Sequence, residues 1–424
     1  MKSSFAKVNL FLFICIVVQI ATDAAAQQSP LSLLPKAQKT FKLDKKFPQQ
    51  GSEIKTFTES PDSGNKIVQT NKLEALNLET TGILDIKTGG FDKNMWNGTT
   101  YPEAVSLLKN LPSKIYSRGL QNLQERLLLT RARTPIYEKD ENKNTILKLR
   151  QQNLFKSGKL DYFAQIQRNI PRTHDDEELA QLAVDTFFLK NNLDKACEII
   201  KYWFDKSQKK SWQKNLIFCD AINGLRDNVD FGIQLLSETK NSEDDKFISL
   251  INVILGEEDM PSSKQIVEMT PRDVAMLRFG QQTLPTSNLD VLPPWLHEIY
   301  INDPSIQQKD RLKLAHRSFL LGLIKVEELA KLYETADLHQ DDIATAVTLA
   351  SEGATQIPDA LLHRLILSQE TDFGKAQAIH KAIDFAIRDG TIVEMAELYQ
   401  NHVKQIVPAS ELDWFACSAA MINM

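Results

Sequence analysis

Seven histidines and two acidic clusters are the residues best equipped for chemistry in this chain. An imidazole beside carboxylates can relay protons or hold a metal ion, because its charge changes near neutral pH. His174 precedes Asp175-Asp176-Glu177-Glu178, and His339 precedes Gln340-Asp341-Asp342. Both runs stand where helices should begin, and carboxylates there favour the positive end of the helix dipole. We therefore read them as helix starts rather than as acid–base or metal centres. His297, His316, His363, His380 and His402 fall singly in helical pattern, with no pair at i, i+4 and no HExxH. No GxSxG occurs. Glu257 and Glu258 are neighbours on a turn, a poor placing for two glycosidase carboxylates. The expectation is a protein that is not an enzyme, with no catalytic residues, no cofactor and no metal.

Cysteine offers a second chemistry. Cys15 lies in an N-terminal apolar run, which leaves Cys197, Cys219 and Cys417, none of them in a CxxC. Cys197 and Cys219 each stand in an apolar helical pattern. Buried free thiols, packed as small hydrophobes, are the first expectation. A bridge between them is the alternative, if adjacent helices bring their Cα atoms within about 7 Å.

The third candidate is the loop Gly89–Thr99, in which three glycines frame Phe91, Met95 and Trp96. It is neither GxGxxG nor a Gly-Lys-Ser phosphate loop. We expect its aromatic side chains to close the N-terminal end of a helical body; a ligand or partner site is the alternative. Asn97-Gly98-Thr99 also has the form of a glycosylation sequon. Thr99 or Thr100 can cap the helix that follows, with Pro102 near its first turn. That helix should run to about Asn110, and a second from Ser117 to Ala132.

The elements that must position these residues follow from composition. Of 424 residues, 42% are hydrophobic and 25% charged, with a net charge of −5, which excludes global disorder and a polytopic membrane protein. Only 16 are glycine, which argues against a turn-rich β fold. Lys2 and Lys7, the apolar run from Val8 to Ile20 and Ala24-Ala25-Ala26 read as a signal peptide over 1–26. The run is too short to span a bilayer as a helix. Residues 27–72 read as a disordered basic linker, with six lysines between positions 36 and 55. Membrane contact is expected only through that linker or an uncleaved signal segment.

Beyond it the pattern is helical. Leu160-Asp161, Leu193-Asp194 and Val229-Asp230 each follow an apolar helix and a Gly or Asn turn, at spacings of 33 and 36 residues. Glu328-Leu329-Ala330-Lys331-Leu332-Tyr333 is echoed 66 residues later by Glu394-Met395-Ala396-Glu397-Leu398-Tyr399. A period near 34 is that of tetratricopeptide-like hairpins. The predicted fold is an all-α solenoid of stacked helical hairpins. It comprises a capping region 73–141, an array 142–255, a Pro-rich joint 256–304 anchored by Trp295, and a second array 305–424. Shorter hairpins with no real boundary are the alternative for the joint. Residues 411–424 are amphipathic and stop without a polar cap, as in a truncated, partnered or exposed end.

Gly90-Phe91-Asp92, Met95-Trp96-Asn97-Gly98-Thr99, Leu127-Leu128-Leu129-Thr130 and Trp212-Gln213-Lys214-Asn215-Leu216-Ile217-Phe218-Cys219 carry a resemblance. The chain resembles, over about residues 80–424, a largely uncharacterised family of exported α-proteobacterial helical-repeat proteins. Some members bear a label relating them to antifreeze glycopeptides, which does not fit a mature chain without simple Ala/Thr repeats. The resemblance implies an envelope location and a helical-repeat fold, and it brings no catalytic residues. Such chains tend to continue further, which implies truncation here.

Residues 324–424 carry 7 Lys/Arg against 16 Asp/Glu, so nucleic acid is not an expected partner. The expected function is a periplasmic interaction scaffold that binds another envelope protein, with Phe91, Met95, Trp96 and Trp295 as structural or partner-contact candidates. The accessory helical region of a peptidoglycan-related enzyme, or a ligand-binding protein, is the alternative.

Overall fold

The structure, a computed structural model, describes residues 77–135, 145–170, 176–207, 209–238, 242–259, 269–286, 289–338, 345, 348, 359–407 and 409–423. The signal peptide read over 1–26, the linker over 27–72, His174 and the His339 cluster lie outside the described residues. Among the described residues the fold is all-α, with 17 α-helices, short 3-10 turns and no strand. None of these helices is long and apolar enough to cross a membrane.

Helix α1 (Tyr101–Lys109) starts as its sequence dictates. Thr100 and Glu103 form a reciprocal capping box, and Pro102 sits in the first turn. Helix α2 (Arg118–Leu129) follows. The segment before α1 runs alongside the end of α2, where Ile83 N–H donates to Leu129 O at 2.9 Å and Arg131 N–H to Leu84 O at 2.8 Å. That leaves one isolated parallel bridge, Leu84 to Thr130.

The next six helices are α3 (Thr145–Lys156), α4 (Leu160–Gln167), α5 (Glu177–Leu189), α6 (Leu193–Ser207), α7 (Lys210–Ile222) and α8 (Arg226–Ser237). Their hairpin turns share one chemistry. Gly158, Asn191 and Gly224 adopt left-handed backbones with φ of 74°, 54° and 70°. After each, an N–H reaches back five residues, from Lys159 to Leu154, Asn192 to Phe187 and Leu225 to Asp220. These three residues stand 33 positions apart. The 36-residue spacing read from Val229-Asp230 is thereby corrected: α8 begins at Arg226, directly after the turn, and Val229 is already inside it.

Cys197 on α6 and Cys219 on α7 form a disulfide with a Cα–Cα distance of 5.7 Å. This overturns the expectation of two free thiols. Antiparallel packing brings the two helices into register, and Trp203 stacks on Trp212 nearer the turn, with ring centroids 6.0 Å apart. Glu177 accepts from Trp212 Nε1 at 2.7 Å and Ser207 Oγ at 2.6 Å, tying the same hairpin to α5. Cys417 is exposed.

The later helices are α9 (Ser242–Ile254), α10 (Pro271–Phe279), α11 (His297–Ile301), α12 (Gln308–Leu320), α13 (Val326–Glu334), α14 (Asp359–Ser368), α15 (Asp372–Arg388), α16 (Ile392–Val403) and α17 (Ala416–Asn423). Neighbours in sequence pack as neighbours in space through most of the chain. Some contacts skip. Helix α10 lies on α5, α7 and α9, and α13 meets α16. The segment after α10 returns to the first hairpins. Trp295 stacks on Phe155, with centroids 5.8 Å apart and rings at 30°. Gln121 Nε2 donates to Leu320 O at 2.7 Å, and Lys159 Nζ donates to Gly322 O.

Candidate functional site

Phe91, Met95 and Trp96 are half-buried in one loop against the end of α2. Phe91 N–H donates to Thr130 Oγ1 at 2.9 Å, and the Arg126 guanidinium lies 4.4 Å from the Phe91 ring centre. Trp96 packs against the core. The strongest fastening of this end is elsewhere, in a residue that the sequence reading passed over. Arg150 of α3 is buried and donates to Leu128 O, Thr81 O, Glu79 O and Thr130 O. Glu79 in turn accepts from Tyr101 Oη at 2.9 Å and from Ile146 N–H at 3.1 Å. Burial pulls the Arg150 guanidinium down to about 10, and the nearby Glu79 works against that shift. Trp295 belongs to another place, on Phe155 at the end of α3.

An open cleft of about 630 Å³ lies where α4 begins and α5, α10 and α11 end. Its apolar lining is Leu160, Leu189, Ile299 and Pro304. Its polar lining holds Lys190, Arg278, Glu298 and Asp303, the amides of Gln281, Gln282 and Asn302, and the hydroxyls of Thr283 and Ser305. Arg278 Nη1 donates to Leu189 O at 2.9 Å and so caps α5. Lys190 Nζ pairs with Asp161 at 2.5 Å. Gln281, at φ 53°, ends α10 on the rim. Both charge signs and several amides beside apolar residues suit a polar, extended ligand such as a peptide segment.

A second set of groups with displaced protonation lies inside the second array, apart from that lining. His316 Nδ1 stands 3.2 Å from Tyr333 Oη and 3.1 Å from Asp359 Oδ2. The His363 ring lies 5.8 Å from the Tyr333 ring and 5.6 Å from the His402 ring, centre to centre. Removal from water pushes Asp359 above the usual carboxylate range although 36% of its side chain stays accessible; His316 opposes the shift. Burial holds Tyr333 and Tyr399 well above the usual phenol value. Burial, and then His402, bring His363 down to about 4. Among the described residues no group of three His, Cys, Asp or Glu is placed to hold a metal.

Sequence reading missed this cluster because its members come from four helices, so no short spacing marks it. The one usable signal was the echoed hexapeptide, whose last residues are Tyr333 and Tyr399. Asp176, from the acidic run expected to start a helix, does cap α5 by accepting from Leu179 N–H at 3.2 Å. No protein-family model, curated protein or solved structure matches the chain.

Proposed function

We propose that the chain is an exported, tetratricopeptide-like scaffold that holds a segment of another envelope protein in the cleft between α4, α5, α10 and α11. The observation that carries this reading is the cleft lining. Two cations, two carboxylates and a set of amides line it together with four apolar residues, which suits main-chain hydrogen bonding and side-chain charge pairing. The left-handed turn residues 33 positions apart support the repeat reading. The Cys197–Cys219 bridge fits an oxidising compartment, such as a periplasm. The resemblance read from residues 90–99, 127–130 and 212–219 belongs to the same proposal.

A photo-crosslinking residue placed at Gln282, in full-length protein expressed in an exporting bacterium, tests it. One envelope protein should be captured at Gln282 and not at Phe231, which lies on α8 away from the cleft lining. Glu298→Lys with Asp303→Lys should abolish the capture while the melting temperature holds. Equal capture from both positions, or capture indifferent to the charge reversals, sinks the reading. Release of a bound small molecule on denaturation would replace the protein partner with a ligand.

A further inference from the structure

His363 of α14 is 1% exposed, and among the described residues neither ring nitrogen has a partner within normal hydrogen-bond distance. An uncharged imidazole tolerates that position at the cost of two unmet hydrogen bonds. An imidazolium does not, because it carries two N–H donors and a full charge into a site nearly closed to solvent. Glu334 Oε1 of α13, 3.7 Å from Nε2, favours the charged form. Against it stand His402 of α16, edge-on to the same ring, and Arg364 on α14 itself. The other groups around the site are His316 of α12, Tyr333 of α13, Asp359 of α14, Lys375 of α15 and Tyr399 of α16.

We propose that the ring cluster Tyr333–His363–His402 is an acid-sensitive latch in the second array. While both imidazoles are neutral, the cluster ties α14 to α13 and α16. When they take up protons, that packing is released locally and the first array stays folded. The latch uses only residues outside the cleft, so it stands whether or not the cleft binds a partner.

The direction of the pH dependence follows from the two protonation states. His363 is pulled from 6.5 down to about 4, chiefly by burial, and His402 is shifted the same way for the same reason. A group whose folded value is depressed in this way stabilises the folded form above pH 6.5. Its contribution is lost as pH falls from there towards 4. His297 is a useful contrast. It is equally buried, but Nδ1 lies 2.9 Å from Ser318 Oγ and Nε2 3.3 Å from Leu292 O. It too is brought down to about 4, so a global acid transition alone would not identify the latch.

Hydrogen–deuterium exchange of the full chain, corrected for intrinsic pH effects, separates the two. Between pH 7 and pH 4.5, opening of α14 and α16 should become roughly a hundredfold more frequent, with α5–α7 unchanged. His363→Phe keeps a ring of similar volume without the charge and should remove most of that gain. Should that variant fail to fold, His402→Phe serves. It deletes one of the charges opposing His363 and one depressed imidazole, so the acid-induced gain should shrink and its midpoint move to lower pH. Unchanged protection of α14 and α16 at pH 4.5 overturns the proposal. So does an acid response shared equally by all helices, or one that neither substitution alters.

Discussion

Tyr333 and Tyr399 end the two copies of the echoed hexapeptide, 66 residues apart, and both are buried within electrostatic reach of Asp359. Their hydroxyls fare differently. Tyr333 Oη has His316 Nδ1 at 3.2 Å, whereas the buried Tyr399 hydroxyl has no partner among the described residues. Helix α13 meets α16, so the echo delivers one tyrosine from each side of the same junction.

That asymmetry predicts opposite outcomes for one substitution. Tyr333→Phe removes a made hydrogen bond and should cost about 1 kcal/mol. Tyr399→Phe removes a buried hydroxyl with no partner among the described residues, and should be neutral or stabilising by up to about 1 kcal/mol. Urea unfolding of the two variants, compared at equal m-value, checks the order. A larger loss for Tyr399→Phe would show that its hydroxyl is bonded in solution.

Arg150 should matter more than the aromatic loop that it helps to seat. Arg150→Met leaves four carbonyls without their donor and Glu79 without its opposite charge. Breaking a buried charged arrangement costs about 3–5 kcal/mol. Trp96 is only half-buried, so Trp96→Ala should fall below the roughly 3–5 kcal/mol typical of a fully buried aromatic. Thermal melting, with limited proteolysis of residues 77–99, gives the order. Equal loss in the two variants would return the leading role to the loop.

Reducing Cys197–Cys219 should lower stability without unfolding the hairpin. A crosslink spanning 22 residues is worth about 3 kcal/mol in the chain-entropy account. The Trp203–Trp212 stack and the Glu177 hydrogen bonds remain after reduction. Calorimetry with and without reductant, and of the Cys197→Ala/Cys219→Ala pair, should show a lowered Tm and an unchanged helical spectrum. Loss of helix on reduction would contradict this.

What the sequence could disclose depended on how local the cause was. The N-cap at Thr99 or Thr100, the helix start at the acidic run 175–178 and the turns at Gly158, Asn191 and Gly224 are set within a few residues, and each was legible. The third repeat was set three residues too far because an apolar–Asp pair recurs inside α8 as well as at its start. The thiols of Cys197 and Cys219 were ambiguous because spacing alone does not fix the register of two helices. Arg150 and the His363 cluster were invisible for a stronger reason. Their partners come from separate helices, and only the packed chain brings them together.

Gly158 and Gly224 give the sharpest test of how the chain returns on itself. Both are left-handed turn glycines, with φ of 74° and 70°. A side chain at Gly224 would meet nothing within 4 Å, so Gly224→Ala bears only the backbone penalty, about 1–2 kcal/mol. A Cβ at Gly158 would stand 2.7 Å from Pro294 O, beneath the turn that carries Trp295 onto Phe155. Gly158→Ala therefore has to shift that turn as well as strain its own backbone. It should destabilise more than Gly224→Ala by about 1–3 kcal/mol, the usual range for overpacking, and should change Trp295 fluorescence, best read with the other tryptophans replaced. Equal losses would mean that the segment carrying Trp295 rests only loosely on the first hairpin.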